Sequence, residues 1–481
     1  MKRLILLVML GLLTASLAFA GQIRLQSREL IKVSLEVGKN PEGMAVNPVT
    51  HKAYVIAEQD TEGDDQYCLF ILDNNVVSLR GGAPKKLDLH FGATIQAPKT
   101  IPIPNESEYI AIDSTRNLIY VSTKFHAAQD EPPDTGDDSG GEVDAPGGMN
   151  PPVLAPVTVL EPVPVTLGTL TVVDGNTDTV IATWYFSPGM EPEGVAVDPV
   201  NGVVYVGAKA PEGEAQEDDT CSSGTPIFDV GEPGDVECWT AGHIYAFFVE
   251  PEQKAIAFLK DIPAGDDPES VVFVNGMVYA ANEDDGTVTV ASAVYPDGTG
   301  GELLTDLPIP PTQPYGLGVA PYSLGVFYAA GPNPLACTEN KFEADKMAAG
   351  GGSVFITDDR SRVAKITGIF VMNTVTVAGA TQCLEIPNTD GGGANTANNI
   401  AYMQKPDKAL LYVVSEQNTV AIYNPTTMKL TATITIPGAV HLDAIGVDGA
   451  ANRVWITDED LHAVFVLQGA CANGTRACGS Y

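Results

Sequence analysis

Basic residues are scarce in this chain. Its 481 residues carry 26 Lys and Arg against 61 Asp and Glu, a formal charge of −35 at neutral pH. So acidic a surface repels nucleic acid and anionic membrane, and attracts cations or basic partners. Catalytic and cofactor signatures are missing too. There is no Gly-x-Ser-x-Gly elbow, no His-Glu-x-x-His pair and no Walker loop, which removes the commonest hydrolase, zinc-protease and nucleotide-binding readings. No Cys-x-x-Cys-His occurs, so covalent c-type haem is excluded. The 6 histidines are scattered. After the first residues no apolar run reaches the ~18 residues of a spanning helix, so no transmembrane segment is expected.

The N-terminus has its own meaning. Lys2 and Arg3 precede the apolar run Leu4 to Leu13, and Ala18-Phe19-Ala20 offers a small-x-small cleavage site. Residues 1–20 therefore read as a secretory signal and residues 21–481 as the exported domain, periplasmic or extracellular. Seven cysteines in an exported chain suggest disulfides with one thiol left over. Cys221 with Cys238, and Cys471 with Cys478, are the favoured pairs; Cys68, Cys337 and Cys383 stay unassigned. The 44% hydrophobic content is enough for a large core.

The core has a rhythm. One phrase, a small residue inside an apolar strand followed by a turn and an aromatic-Val strand, recurs along the chain. Its clearest copies are Pro41 to Pro48 leading to Tyr54-Val55, and Pro192 to Pro199 leading to Tyr205-Val206. The phrase opens at Glu42, Glu108, Glu193, Glu269, Tyr315, Asn398 and Asp443, and its second strands carry Tyr54, Tyr120, Tyr205, Tyr279, Tyr328, Tyr412 and Trp455. A third strand recurs at Gly168 to Asp174, Gly286 to Val290, Gly352 to Ile356 and Asn418 to Ile422. A fourth recurs at Thr179 to Phe186 and Leu430 to Pro437. Bare repeats lie about 45 residues apart, as from Asn398 to Asp443, which suits a four-stranded blade. The expected fold is all-β: a seven-bladed β-propeller of four-stranded blades. The ends complete it, since an outer strand at Ile31 to Val37 and a third-type strand at His462 to Leu467 would share one blade and close the ring. Asp174 to Asp178 begins like a calcium loop but is a hairpin turn.

Tyr205-Val206, the Gly-x-Val-x-Val strands and Asn176 to Thr183 resemble the YVTN-type repeat of prokaryotic extracytoplasmic propellers. The resemblance covers the exported chain and implies the fold. It implies little about function, because such propellers serve as surface, binding and occasionally enzymatic proteins. Only 3 tryptophans argue against a Trp-rich quinone-docking propeller.

Four stretches exceed the bare repeat: residues 57–66, 125–166, 211–241 and 331–351. All interrupt the connection from second to third strand, so all would crown one face. The second and third are rich in Asp and Glu. The residues opening the inner strands surround the channel mouth on that face. Glu42, Glu108, Glu193, Glu269, Asn398 and Asp443 are thus candidate ligands for a divalent cation, hard oxygen donors that suit Ca2+. The competing reading is a ring of hydrated carboxylates in an open pore. No catalytic residue is assigned and no nucleotide or haem is expected. The functional expectation is an exported binding or scaffold protein whose acidic face takes a divalent cation, a small ligand or a basic protein. The alternatives are a metal-dependent lactonase or ester hydrolase in the channel, with His441 as base, and a cell-surface module acting through its insertions.

Overall fold

A computed structural model describes residues 30–33, 37–61, 64–72, 99–104, 106–124, 167–210, 225–228, 236–239, 242–283, 287–301, 344–358, 362–367, 369–371, 374–376, 384–385, 397–405, 407–436 and 438–468. The chain is an all-β propeller. Among the described residues, six antiparallel sheets have four strands, and a three-stranded sheet (Ser270–Val274, Met277–Asn282, Thr287–Ser292) stands between two of them. The innermost strands are Lys39–Val46, Ser107–Asp113, Glu191–Asp198, Ser270–Val274, Ala344–Gly350, Ala397–Gln404 and Leu442–Asp448. Each packs on the next, and the last returns to the first. The circuit is closed. Leu30–Val33 pairs antiparallel with Ala463–Gln468, Leu30 opposite Leu467 and Val33 opposite Val464, so one sheet holds both ends of the described chain.

Seven hydrophobic clusters fill the gaps between consecutive sheets. The recurring aromatic explains why. Tyr54, Tyr120, Tyr205, Tyr279, Phe355, Tyr412 and Trp455 are all buried on second strands. An aromatic side chain removes ~150–250 Å² from water, on the order of 4 kcal/mol gross at about 25 cal/mol per Å². The far ends of four inner strands are each pinned by a buried side chain. Asn47, Asp113, Asp198 and Asp448 accept from the backbone N–H of Val49 (2.9 Å), Thr115 (2.8 Å), Val200 (2.9 Å) and Ala451 (2.8 Å). Such Asx turns are what these residue types do after a strand. Asp174 likewise caps the hairpin of Asp174 to Asp178, accepting from Asn176 N at 2.8 Å.

Two expectations are corrected. The phrase at Tyr315 and its partner Tyr328 lie outside the described residues, and the inner strand of the following sheet is Ala344–Gly350. Ser353–Asp358, expected as a third strand, is therefore the second strand, flanked by Ala344–Gly350 and Arg362–Thr367. Phe355 takes the aromatic position, opposite Ala348. Gly350 pairs with Ser353 across Gly351 and Gly352, whose φ values of +58° and +79° make a two-residue turn that matches strand twist. The expected insertion at 331–351 thus contains an inner strand. In the stretch 57–66, Ala53–Thr61 and Asp64–Leu72 run on as a hairpin to Thr61 opposite Asp64. Within 211–241, Thr225–Phe228 pairs with Val236–Trp239. The signal segment 1–20, the insertion 125–166 and both favoured disulfides involve residues outside those described. Cys68 is a free, buried thiol, its Sγ–H donating to Gln59 Oε1 at 3.3 Å.

Candidate functional site

Register places the predicted ring. The inner-strand residues opposite the recurring aromatics are Ala45, Ala111, Ala196, Val272, Ala348, Ala401 and Gly446. Three residues earlier stand Glu42, Glu108, Glu193, Glu269, Asp345, Asn398 and Asp443. The expected residues hold in every sheet but one, where Asp345 replaces Tyr315. Pairing shifts register at this point in six of the inner strands, for example between Pro192 and Val195 and between Ala344 and Met347. A β-bulge re-aims the side chain that it carries. One residue before the aromatic's partner, every inner strand is aliphatic: Met44, Ile110, Val195, Val271, Met347, Ile400 and Ile445.

The ring encloses a cavity of about 360 Å³. Its wall includes Glu42, Glu108, Lys346, Asn398, Asp443 and Glu459, with the aliphatic belt directly beyond. The second strand of the Glu108 sheet ends beside this mouth, Thr123 pairing with Ser107; the 125–166 insertion lies outside the described residues.

Two lysines and a tyrosine divide the ring. Lys124 Nζ lies 3.1 Å from Glu108 Oε2 and 3.1 Å from Glu193 Oε1. Lys346 Nζ contacts Glu269 Oε1 and lies 2.8 Å from Asp345 Oδ1. The Tyr109 hydroxyl donates to Glu269 Oε1 at 2.6 Å and accepts from Lys346 Nζ at 3.0 Å. Lys346 Nζ also sits 4.9 Å from the Tyr109 ring centroid, a cation–π contact. Tyr109 and Lys346 come from sheets on opposite sides of the channel, so their contact spans it. Glu193, Glu269 and Asp345 belong to this occupied half.

The other half holds Glu42, Asp443 and Glu459. Among the described residues no lysine or arginine pairs with any of them. Asn398 Nδ2 donates to Asp443 Oδ1 at 3.0 Å, while Asp443 Oδ2 is buried without a partner. Glu459 Oε2 lies 3.2 Å from His441 Nδ1. Burial, then the charges of Glu108, Asp443, Glu459 and Glu58, push the Glu42 carboxyl up to about 8. Burial does the same for Asp443, to about 7, against the pull of Lys346 and with Glu459 and Glu108 adding to it. In the occupied half burial would raise Glu269, but Lys346 and its hydrogen bonds outweigh that and hold it down near 2. Burial raises Glu193 and Asp345, with Lys124 and Lys346 opposing only in part. Burial disfavours the charged forms of Lys124 and Lys346, yet the surrounding carboxylates keep both firmly cationic.

The sequence reading missed Lys124, Lys346, Tyr109, Asp345 and Glu459. Tyr109 and Lys124 carried a usable signal, one adjacent to the predicted Glu108 and the other directly following its second strand. Lys346 had none while the inner strand was placed at Tyr315. Among the described residues no three His, Cys, Asp or Glu side chains form a group that could hold a metal ion. No family model and no curated protein matches this chain.

Proposed function

We propose that this chain is an exported binding protein, a seven-bladed member of the YVTN-type propellers, that takes a cationic ligand in its central cavity. The three-stranded sheet counts as the seventh blade. The observation that carries the reading is the division of the ring: lysines of the fold form ion pairs with Glu108, Glu193, Glu269 and Asp345, while among the described residues no lysine or arginine pairs with Glu42 or Asp443. Two charges about 4 Å apart at an effective dielectric of about 20 interact by about 4 kcal/mol, so a cation entering between Glu42 and Asp443 gains substantially. The candidates are a divalent ion such as Ca2+, a small organic cation and a basic protein.

The test is a panel of Ca2+, Mg2+, n-butylammonium and a lysine-rich peptide, read by melting temperature at pH 8. We expect at least one to raise the Tm of the wild type by several degrees and to leave the Glu42→Gln, Asp443→Asn double variant unchanged. Equal effects on both proteins, or none on either, would end the proposal. Glu193 and Glu269 serve poorly as test positions because Lys124 and Lys346 already neutralise them.

One observation favours a channel hydrolase as second reading. Glu459 lines the cavity and its Oε2 lies 3.2 Å from His441 Nδ1, an arrangement in which a carboxylate orients an imidazole base. Turnover of a lactone panel with added Ca2+ or Zn2+, lost in His441→Gln, would support it; no turnover of any member would retire it.

A further inference from the structure

We infer that the unfilled half of the ring is a site for a small aliphatic primary amine, its ammonium between Glu42 and Asp443 and its alkyl chain along Met44, Ile400 and Ile445. This rests on the reading of the cavity as a cation site and specifies the ligand class.

The first argument is that the ring already solves this problem twice with the same chemical group. Lys124 places a primary ammonium between carboxylates of two neighbouring sheets, Glu108 and Glu193. Lys346 places another between Glu269 and Asp345. Each is an ammonium on an unbranched alkyl stem, with three donors to distribute among oxygens. The adjoining pair, Glu42 and Asp443, occupies equivalent positions on neighbouring inner strands and forms no ion pair with a lysine or arginine among the described residues, Lys346 reaching Asp443 only through its charge.

The second argument is unmet hydrogen bonding. Asp443 lines the cavity and its Oδ2 is buried without a partner; in the occupied half Glu193 Oε2 and Glu269 Oε2 are likewise unpartnered, so it is Asp443 that bears on this side of the ring. Buried carboxylate oxygens are normally paired, so each such exception calls for an explanation. A donor arriving with a ligand supplies one.

The third argument concerns the body of the ligand. Directly beyond the carboxylates the cavity wall is aliphatic, with Met44, Ile400 and Ile445 on the side of the unfilled half. A hydrated divalent ion makes no use of such a surface. An alkyl chain does, and about 360 Å³ falls within the usual size of a small-molecule site.

The experiment is calorimetric titration at pH 8 with methylammonium, n-butylammonium and n-hexylammonium, with Ca2+ in parallel. Affinity should rise by about fourfold for each methylene buried along the belt. Glu42→Gln and Asp443→Asn should each weaken n-hexylammonium at least tenfold, by loss of one charge-assisted partner. Ile445→Thr should flatten the chain-length dependence while methylammonium binding persists. Circular dichroism and melting curves show that each variant is folded. Binding that is independent of chain length, or insensitive to both acidic substitutions, overturns the inference. Ca2+ binding that is lost in those two variants, with no amine binding, overturns the amine while sparing the cation site. No binding by any probe removes both.

Discussion

Lys346 shows how much one side chain carries in this ring. Its ammonium faces Asp345, Glu269 and the Tyr109 hydroxyl at once, so its loss leaves two buried carboxyls without a counter-charge. Lys346→Met should cost about 3 kcal/mol, the usual consequence of breaking a buried ion pair from one side. Denaturant unfolding checks this, and recovery of most of the loss by adding Glu269→Gln would tie the cost to the orphaned charge. The opposite half behaves differently with pH. Glu42, raised to about 8, faces Glu108, Asp443, Glu459 and Glu58; Asp443, raised to about 7, faces Lys346, Glu459, Glu108 and Asn398. Both carboxyls hold protons in the folded state that they release when unfolded. Their contribution to stability is therefore complete below about pH 4 and is lost as pH rises through 7 and 8. Glu269, held near 2, acts in the other sense and loses its contribution only in strong acid. The Tm should accordingly fall by several degrees from pH 5.5 to pH 9, and Glu42→Gln with Asp443→Asn should reduce that slope, Glu193 and Asp345 keeping the remainder. A Tm that is flat in the wild type over this range would contradict the assignment. At this scale the acidic positions were legible because the recurring phrase fixes their register. The lysines were not, since one enters from the end of a second strand and the other from an inner strand that the phrase did not mark.

The inner strand is the element that makes the ring. Its bulge turns the acidic residue toward the channel, and in two of the seven strands a glycine follows. Gly43 and Gly194 do so where the neighbouring inner strand passes within touching distance. A Cβ at Gly194 would lie 2.6 Å from the carbonyl oxygen of Glu269 and 2.5 Å from the nitrogen of Val271; at Gly43 it would lie 2.2 Å from the carbonyl oxygen of Glu108. Backbone cannot yield as a side-chain tip can. Gly194→Val should destabilise by about 1–3 kcal/mol through overpacking and weaken whatever binds the cavity, as melting and titration would show together. An unaltered Tm would mean that the inner strands stand farther apart than described. The strands themselves were largely readable, because alternation and aromatic-Val pairs are local signals. The misplacement at Ala344–Gly350 arose because Lys346 sits where other copies have the uncharged Gly, Tyr, Ser, Asn or Ala. The better marker was the run Gly350-Gly351-Gly352 ahead of Ser353, since a two-residue turn with positive φ at both positions joins inner to second strand.

For the whole molecule, closure is what keeps the ring of charges together. The pairing of Leu30–Val33 with Ala463–Gln468, the cluster that packs Val55 and Phe70 against Trp455 and Val466, and His51 Nδ1 at 2.6 Å from Asp448 Oδ2 join the first complete sheet to the last. Ile31→Pro removes a backbone donor from the outermost strand of the closing sheet. It should lower the Tm and expose the C-terminal sheet to protease before the rest unfolds. Closure also holds the acidic side chains of the mouth together, where Lys124 and Lys346 pair with those of one half. The most direct test is the number of protons released when the tightest-binding cation of the panel is titrated at pH 7.5 in two buffers of different ionisation enthalpy. With Glu42 and Asp443 still partly protonated there, binding should expel close to one proton from the wild type and almost none from Glu42→Gln, Asp443→Asn. Binding without proton release, release that survives in the double variant, or no binding at all would contradict the assignment of this half of the ring as the cation site.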